Sequence, residues 1–355
     1  MLPMKSMEKI LENKEINSWI RNFSRSPIQI HKPHEADAEL IEIKGNNSYL
    51  LAITIDTVSD EITAGVYLDP FTMGWVTVMS NFSDLAAVGA DPLGIVIAVS
   101  LERTRNEKFR KGIASGMAEA CQQLGVFILG GDINTTQTIS LTGCAVGLVP
   151  RNEKMMRVGC QVGDILFLSG GVGCGNSLGL TRLAKSPEEY FPEKLYRPRA
   201  RIKEGQFIRK YATCCMDSSD GLFITLDQLL RINNFGFVVD VDWKKILTPD
   251  VFMLCEKIRI PHWFMAAGIH GEFELVFTIP SEKVQSFLQA AKQINFHPIQ
   301  LGVVQKEPTL TLILPTKKKV NIDMAPLRNL WADGETDLSR LIQEHYDYGK
   351  KWGLE

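Results

Sequence analysis

Nowhere in this sequence of 355 residues does an apolar run approach the ~20 residues that a membrane-spanning helix needs. The longest, 93–101, is roughly half that length. The opening stretch MLPMKSMEKILENKEINSW has no apolar h-region, so no secretory signal is expected. Neither sign of charge dominates: 39 Lys and Arg stand against 41 Asp and Glu, a net charge of −2. A nucleic-acid or membrane-surface protein needs a concentrated basic face, so neither partner is expected. The seven cysteines (121, 144, 160, 174, 214, 215 and 255) are odd in number and contain no CxxC spacing. Disulfide scaffolds and zinc sites are therefore not expected, and a reduced cytoplasmic protein is. Also missing are G-x-x-x-x-G-K-[ST] and a G-x-G-x-x-G that opens a helix, which removes the P-loop and ordinary dinucleotide-binding readings.

What is present is a well-mixed globular composition, 45% hydrophobic and 23% charged, which excludes disorder and collagen-like repeats. The length suggests two domains, each able to bury a core. Residues 1–33 read as a short amphipathic helix and a linker. Beyond them, β-branched runs alternate with helical patterns. Strands are expected over 50–55, 95–101, 126–129, 139–149, 165–169, 212–216 and 236–241. Helices are expected over 71–89, 107–124, 177–185, 198–211, 221–232 and 282–294. Residues 159–179 hold seven glycines in 21 positions, and the domain boundary is expected at about residue 155. The expected organisation is 1–33, 34–155 and 156–355, in an α/β (α+β) protein with layered sheets.

The informative pattern is where aspartates stand. Asp56 ends LLAITI, Asp132 ends VFILGG, and Asp217 ends ATCCM with Asp220 three residues later. Strand ends and the loops after them carry ligand chemistry in α/β proteins. Asp84 shares a polar stripe with Thr77, Ser80 and Asn81 on an otherwise apolar helix. Asp37, in HEADAEL, is a fifth loop-borne candidate. Any one of these is ordinarily a turn residue, an N-cap or a solvated face. Several carboxylates converging on one site would repel one another without a cation, and Mg²⁺ takes such oxygens while bridging to phosphates. The glycine-rich loop could then offer backbone N–H groups to phosphate oxygens, or be only a connector.

The segments TIDT (54–57), NFSDLAAVGADP (81–92), GGD (130–132), RVGCQVGD (157–164), YRPRARIKEG (196–205) and MDSSDGL (216–222) resemble thiamine-monophosphate kinase. More broadly they resemble the superfamily of aminoimidazole ribonucleotide synthetase, selenophosphate synthetase and the hydrogenase-maturation dehydratase. The resemblance implies a two-domain fold, pairing of N-terminal domains in a homodimer, and ATP with several Mg²⁺ ions in the cleft between domains. By position it implies Asp37, Asp56, Asp84, Asp132, Asp217 and Asp220 as metal ligands, with Thr54 adding an oxygen. It implies Gly131, Asp132, Arg157 and Ser219 as ATP contacts, and Asp217 and Asp220 as the catalytic pair. On the substrate side it implies Tyr67 and, in GEFELVFT, Glu272.

The chain also departs from the family pattern. Glu35-Ala36-Asp37 stands for a Gly-Asp-Asp loop, and Tyr67 stands where a His is usual, after an expanded stretch DTVSDEITAGVY. INTTQ follows GGD without the usual Arg. No Cys precedes Cys121 or follows Cys255, which disfavours the selenophosphate and hydrogenase-maturation branches. Phosphoryl transfer from ATP to a small phosphorylated metabolite is the function expected. The alternatives are another ATP-dependent synthetase of the superfamily, or a degenerate homologue that only binds nucleotide.

Overall fold

The computed structural model describes residues 6–183, 190–332 and 338–354. Its strands form two sheets. The first contains β1 (Glu39–Ile43), β2 (Asn46–Thr57), β3 (Asp91–Glu102), β4 (Ile128–Thr136) and β5 (Ser140–Pro150), in the order β1-β2-β5-β3-β4. All neighbours in it are antiparallel except β3 and β4, which are joined through the Glu107–Leu124 helix. That crossover makes the pair parallel, since parallel neighbours need a long connection. Asn106 starts the helix by accepting the Phe109 N–H (2.9 Å), and Gly125 ends it at φ +69°.

The second sheet contains β6 (Ile165–Leu168), β7 (Cys214–Asp217), β8 (Gly236–Asp240), β9 (Leu275–Ile279), β10 (Ile299–Gln305), β11 (Leu310–Ile313) and β12 (Lys319–Ile322). Their order is β12-β11-β8-β10-β6-β9-β7, with only β11 and β8 parallel. Leu166–Leu168 and Leu275–Ile279 are buried along both faces, so these central strands read as continuous apolar runs. The architecture is the mixed helix and sheet expected from the sequence.

The Pro70–Ala87 helix joins the halves. Asp69 caps it, Pro70 occupies its first turn, and nearly all of it is buried. One side lies on the first sheet. The other meets the Ile202–Ile208 helix so closely that a Cβ on Gly205 would stand 2.3 Å from the Ala86 carbonyl. Trp75 Nε1 donates to the Pro198 carbonyl (2.7 Å), and Arg209 donates to the Gly89 carbonyl (2.7 Å).

Several boundaries differ from expectation. The helix expected over 198–211 is only Ile202–Ile208, because Pro198 and Ala200 just before it bond to Trp75 and Met79 of the central helix. β4 begins and ends later than 126–129, so Gly130-Gly131-Asp132 lies inside the strand. β2 runs on to Thr57, so Asp56 is its penultimate residue. The helix expected over 177–185 begins at Cys174, and residues 184 and 185 lie outside the described residues. Among the described residues no helix is long and apolar enough to cross a membrane.

Candidate active site

The polar stripe on the central helix is buried against the end of β2 and is not a solvated face. Asn81 Oδ1 accepts the Asp56 N–H (3.1 Å), while its Nδ2 donates to the Thr77 carbonyl (2.9 Å). Asp84, one turn further along, accepts a hydrogen bond from the Thr54 hydroxyl. Between them Ser83, fully buried, donates to Asp217 Oδ2 (2.5 Å) and so ties the central helix to the end of β7.

Asp217 ends β7 with 1% of its surface exposed. The turn that follows is fixed by the backbone: the Ser218 N–H donates to the Glu274 carbonyl (2.8 Å), and the Gly271 N–H to the Ser219 carbonyl (2.8 Å). A Cβ on Gly271 would lie 1.6 Å from the Ser218 carbonyl, so this approach requires glycine. Asp37 arrives from the loop before β1, with Oδ1 accepting from Arg157 Nη2 (2.9 Å). Three segments far apart in sequence thus bring Asp37, Asp84 and Asp217 together, one oxygen of each within 4.8 Å of the others.

That convergence is electrostatically costly. Burial, then Asp56, Asp217 and Asp37, push the Asp84 carboxyl well above its ordinary range. Burial, then Asp37, raises Asp217 to about 7, and burial raises Asp220 to about 6. Asp56 is also raised, by burial first, against the pull of Arg157. Burial works against the charge on Arg157, yet Asp37, Asp84 and Asp217 raise its pKa and hold it as a cation. Asp37 Oδ2 is buried without a partner. Hard oxygen donors, crowded negative charge and an unsatisfied carboxylate oxygen fit a divalent cation such as Mg²⁺.

Other expected site residues stand apart. Asp132 is exposed, with Oδ2 accepting from Asn134 Nδ2 (2.6 Å). It pairs with Ala98 on β3, which pairs with Thr142 on β5 and so with Thr57 on β2. Laterally paired residues share a face, so Asp132 projects from the face opposite Thr54 and Asp56. Gly131 pairs with Ile97, and a Cβ there would be 2.0 Å from the Ile97 carbonyl; its glycine thus has a sheet-packing reason. Ser219 is half-buried, its hydroxyl 3.4 Å from Asp217 Oδ1.

On the substrate side, Tyr67 is 1% exposed, its hydroxyl 3.1 Å from His270 Nε2, and its ring stacks on Tyr196. Burial lowers His270 to about 4, which keeps it neutral. Glu272 is buried and accepts the N–H groups of Gly173 (2.8 Å) and Gly175 (2.7 Å). Those two donors of the glycine-rich loop are filled from within the chain.

Sequence reasoning missed Ser83 as the link to Asp217, although it lies within the NFSDLAAVGADP segment beside Asp84. It also missed Glu61, on the short Ser59–Thr63 helix inside the expanded stretch. Glu61 Oε2 is buried without a partner, and burial, with the nearby Asp60, Asp56 and Asp220, raises its pKa. No periodicity in the sequence marks that carboxylate.

Residues 35–149 match the family model for the AIR synthase related protein, N-terminal domain. The chain is 33% identical over 247 residues to the thiamine-monophosphate kinase of Archaeoglobus fulgidus, across 69% of this chain and 78% of that one. It is 30% identical over 281 residues to the thiamine-monophosphate kinase of Pyrococcus horikoshii, across 78% of this chain and 85% of the relative. The structure of AaThiL complexed with AMPPCP and TMP matches with a TM-score of 0.71 at 23% identity, covering 88% of this chain and 95% of that one.

Proposed function

The chain belongs to the thiamine-monophosphate kinase family, and from that premise we propose that it transfers the γ-phosphoryl group of ATP to the phosphate of thiamine monophosphate, using Mg²⁺. The observation that carries the metal-site reading is the meeting of Asp37, Asp84 and Asp217 within 4.8 Å. In the reaction an oxygen of the acceptor phosphate forms a bond to the γ-phosphorus, and the bond to the ADP oxygen breaks. Bound Mg²⁺ would supply neutralising charge to the phosphates, which is most of what phosphoryl transfer asks of a protein.

The chain's own residues supply position. Asp37, Asp84 and Asp217 would hold the ion, with Thr54 orienting Asp84 and Ser83 orienting Asp217. Asp56 and Asp220 lie close enough to raise the charge density there and would extend the site. Arg157, a permanent cation with a planar fork, would exchange its contact with Asp37 for an ATP phosphate. The retained carboxylates favour a working kinase over a degenerate nucleotide binder.

The boundary near residue 155 falls between the last strand of the first sheet and the first strand of the second, which supports domains at 34–155 and 156–355. The helix-free face and β4 edge of the first sheet expose Ile55, Val96, Phe127 and Ile133, which supports a homodimer paired through that sheet. Asp132 then belongs to the pairing face, and a role for it in the metal site would depend on the partner. Seven free cysteines are consistent with a cytoplasmic setting.

Purified protein supplied with ATP, Mg²⁺ and thiamine monophosphate should release ADP in step with thiamine diphosphate. Mg-dependent ATP binding without diphosphate formation would overturn the kinase reading.

A further inference from the structure

The helix Leu11–Ile20 lies across the second half of the chain and is held there by specific hydrogen bonds. Leu11 N–H donates to Asn329 Oδ1 (2.9 Å), and Asn329 Nδ2 returns a bond to the Lys9 carbonyl (3.0 Å). Asn13 is 2% exposed, and its amide is paired with that of Gln228 in both directions (3.1 and 3.3 Å). Gln228 is on the Leu222–Asn233 helix, which starts directly after Asp217, Asp220 and their turn. One end of the N-terminal helix is thereby locked to the helix that begins directly after the Asp217–Asp220 turn.

Asn17 stands one turn beyond Asn13 on this helix, and residues four apart share a face. Its Oδ1 lies 3.0 Å from His34 Nε2. His34 holds a left-handed backbone at φ +68°, a conformation that a non-glycine side chain keeps only when its surroundings enforce it. The next residue, Glu35, accepts the Arg157 N–H on its carbonyl (2.8 Å), and Asp37 follows two residues later against the Arg157 guanidinium. A continuous path therefore runs from Gln228 through Asn13, Asn17 and His34 to the loop of Asp37.

We propose that Asn17 and His34 are positioning residues, and that the N-terminal helix is a strut holding the Asp37 loop in register with the Asp217–Asp220 turn. This rests on the reading of Asp37, Asp84 and Asp217 as a metal site. Asp84 is set by the central helix and Asp217 by a buried strand end. Asp37 is the member of the cluster on a loop, and its distance from the others depends on what holds that loop. The imidazole of His34 fixes the loop from one side and Arg157 from the other.

The test is calorimetric titration of Mg²⁺ with AMPPCP into the full chain. Asn17→Ala removes the acceptor, His34→Gly removes the imidazole while allowing the left-handed backbone, and Asn17→Asp keeps an acceptor oxygen. Each of the first two should weaken Mg²⁺ binding by about five- to tenfold, the worth of one hydrogen bond, and Asn17→Asp should stay within about twofold of the parent. In steady state the KM for Mg·ATP should rise more than kcat falls. If Asn17→Ala and His34→Gly lower the melting temperature but leave Mg²⁺ affinity unchanged, the helix is merely structural and the inference is overturned. If the parent chain itself fails to bind Mg²⁺ with AMPPCP, the metal reading falls and this inference falls with it.

Discussion

Asp217, nearly inaccessible and raised to about 7, and Asp220, raised to about 6, carry a pH signature that needs no substrate. Both folded values lie above the unfolded range near 4, so the neutral carboxyl is the form that folding favours. Their contribution to stability is complete below that range and is lost as pH rises through about 6 and 7. Without metal, the melting temperature should fall by several degrees, on the order of 5 °C, between about pH 5 and about pH 8. Mg²⁺ should reverse most of that fall at the upper pH and little at the lower one, because protons compete for the same oxygens. A thermal-shift series with and without Mg²⁺ checks this; equal shifts at both pH values would contradict it. Asp84→Asn should abolish Mg-dependent turnover while leaving unfolding free energy within about 1 kcal/mol, as measured by urea titration, because the amide keeps the shape. Asp56, Asp84, Asp217 and Asp220 were legible as candidates from strand ends, a helix stripe and motif order, whereas Asp132, read from its strand end in the same way, stands apart on the other face of the first sheet. Asp37 was legible as a loop residue, but its contact with Arg157 crosses from one half of the chain to the other, and no local pattern encodes it.

At the scale of elements, the two long helices of the first half touch through glycine. A Cβ on Gly74 would stand 2.0 Å from the Ile113 carbonyl, and one on Gly116 would stand 2.0 Å from that of Phe71. Gly116→Ala should therefore cost on the order of 1–3 kcal/mol by overpacking, read as a lower urea midpoint at unchanged slope. An unchanged midpoint would mean that the helix spacing adapts. Hydrophobic periodicity and end signals located the Glu107–Leu124 helix and brought the central helix within two residues of its ends. They could not say that the stripe of Thr77, Ser80, Asn81 and Asp84 would be covered, because the cover comes from β2 and β7. The same limit explains the short Ile202–Ile208 helix: the residues before it are non-helical, with Trp75 bonded to the Pro198 carbonyl, and tertiary packing outweighs the helical pattern there. Glu272 was read as a substrate residue from its motif; the backbone N–H groups it accepts lie almost a hundred residues away.

For the whole molecule, the exposed apolar face of the first sheet should be the pairing surface. Ile55 is 68% exposed on β2 and shares that face with Val96, and Ile55→Lys should convert a dimer to a monomer in light scattering. A parent chain that is already monomeric would contradict the pairing. The fold class and the alternation of elements were readable in advance from the chain, whereas this face was not, because an exposed apolar strand and a buried one have the same composition. The central claim is that Asp37, Asp84 and Asp217 hold the divalent ion used with ATP. Anomalous diffraction from crystals grown with Mn²⁺ and a non-hydrolysable ATP analogue tests it most directly. The account predicts a Mn²⁺ peak coordinated by an oxygen from each of those three residues. Metal peaks found only elsewhere, with the three carboxylates still around Arg157 and no ion among them, would contradict it.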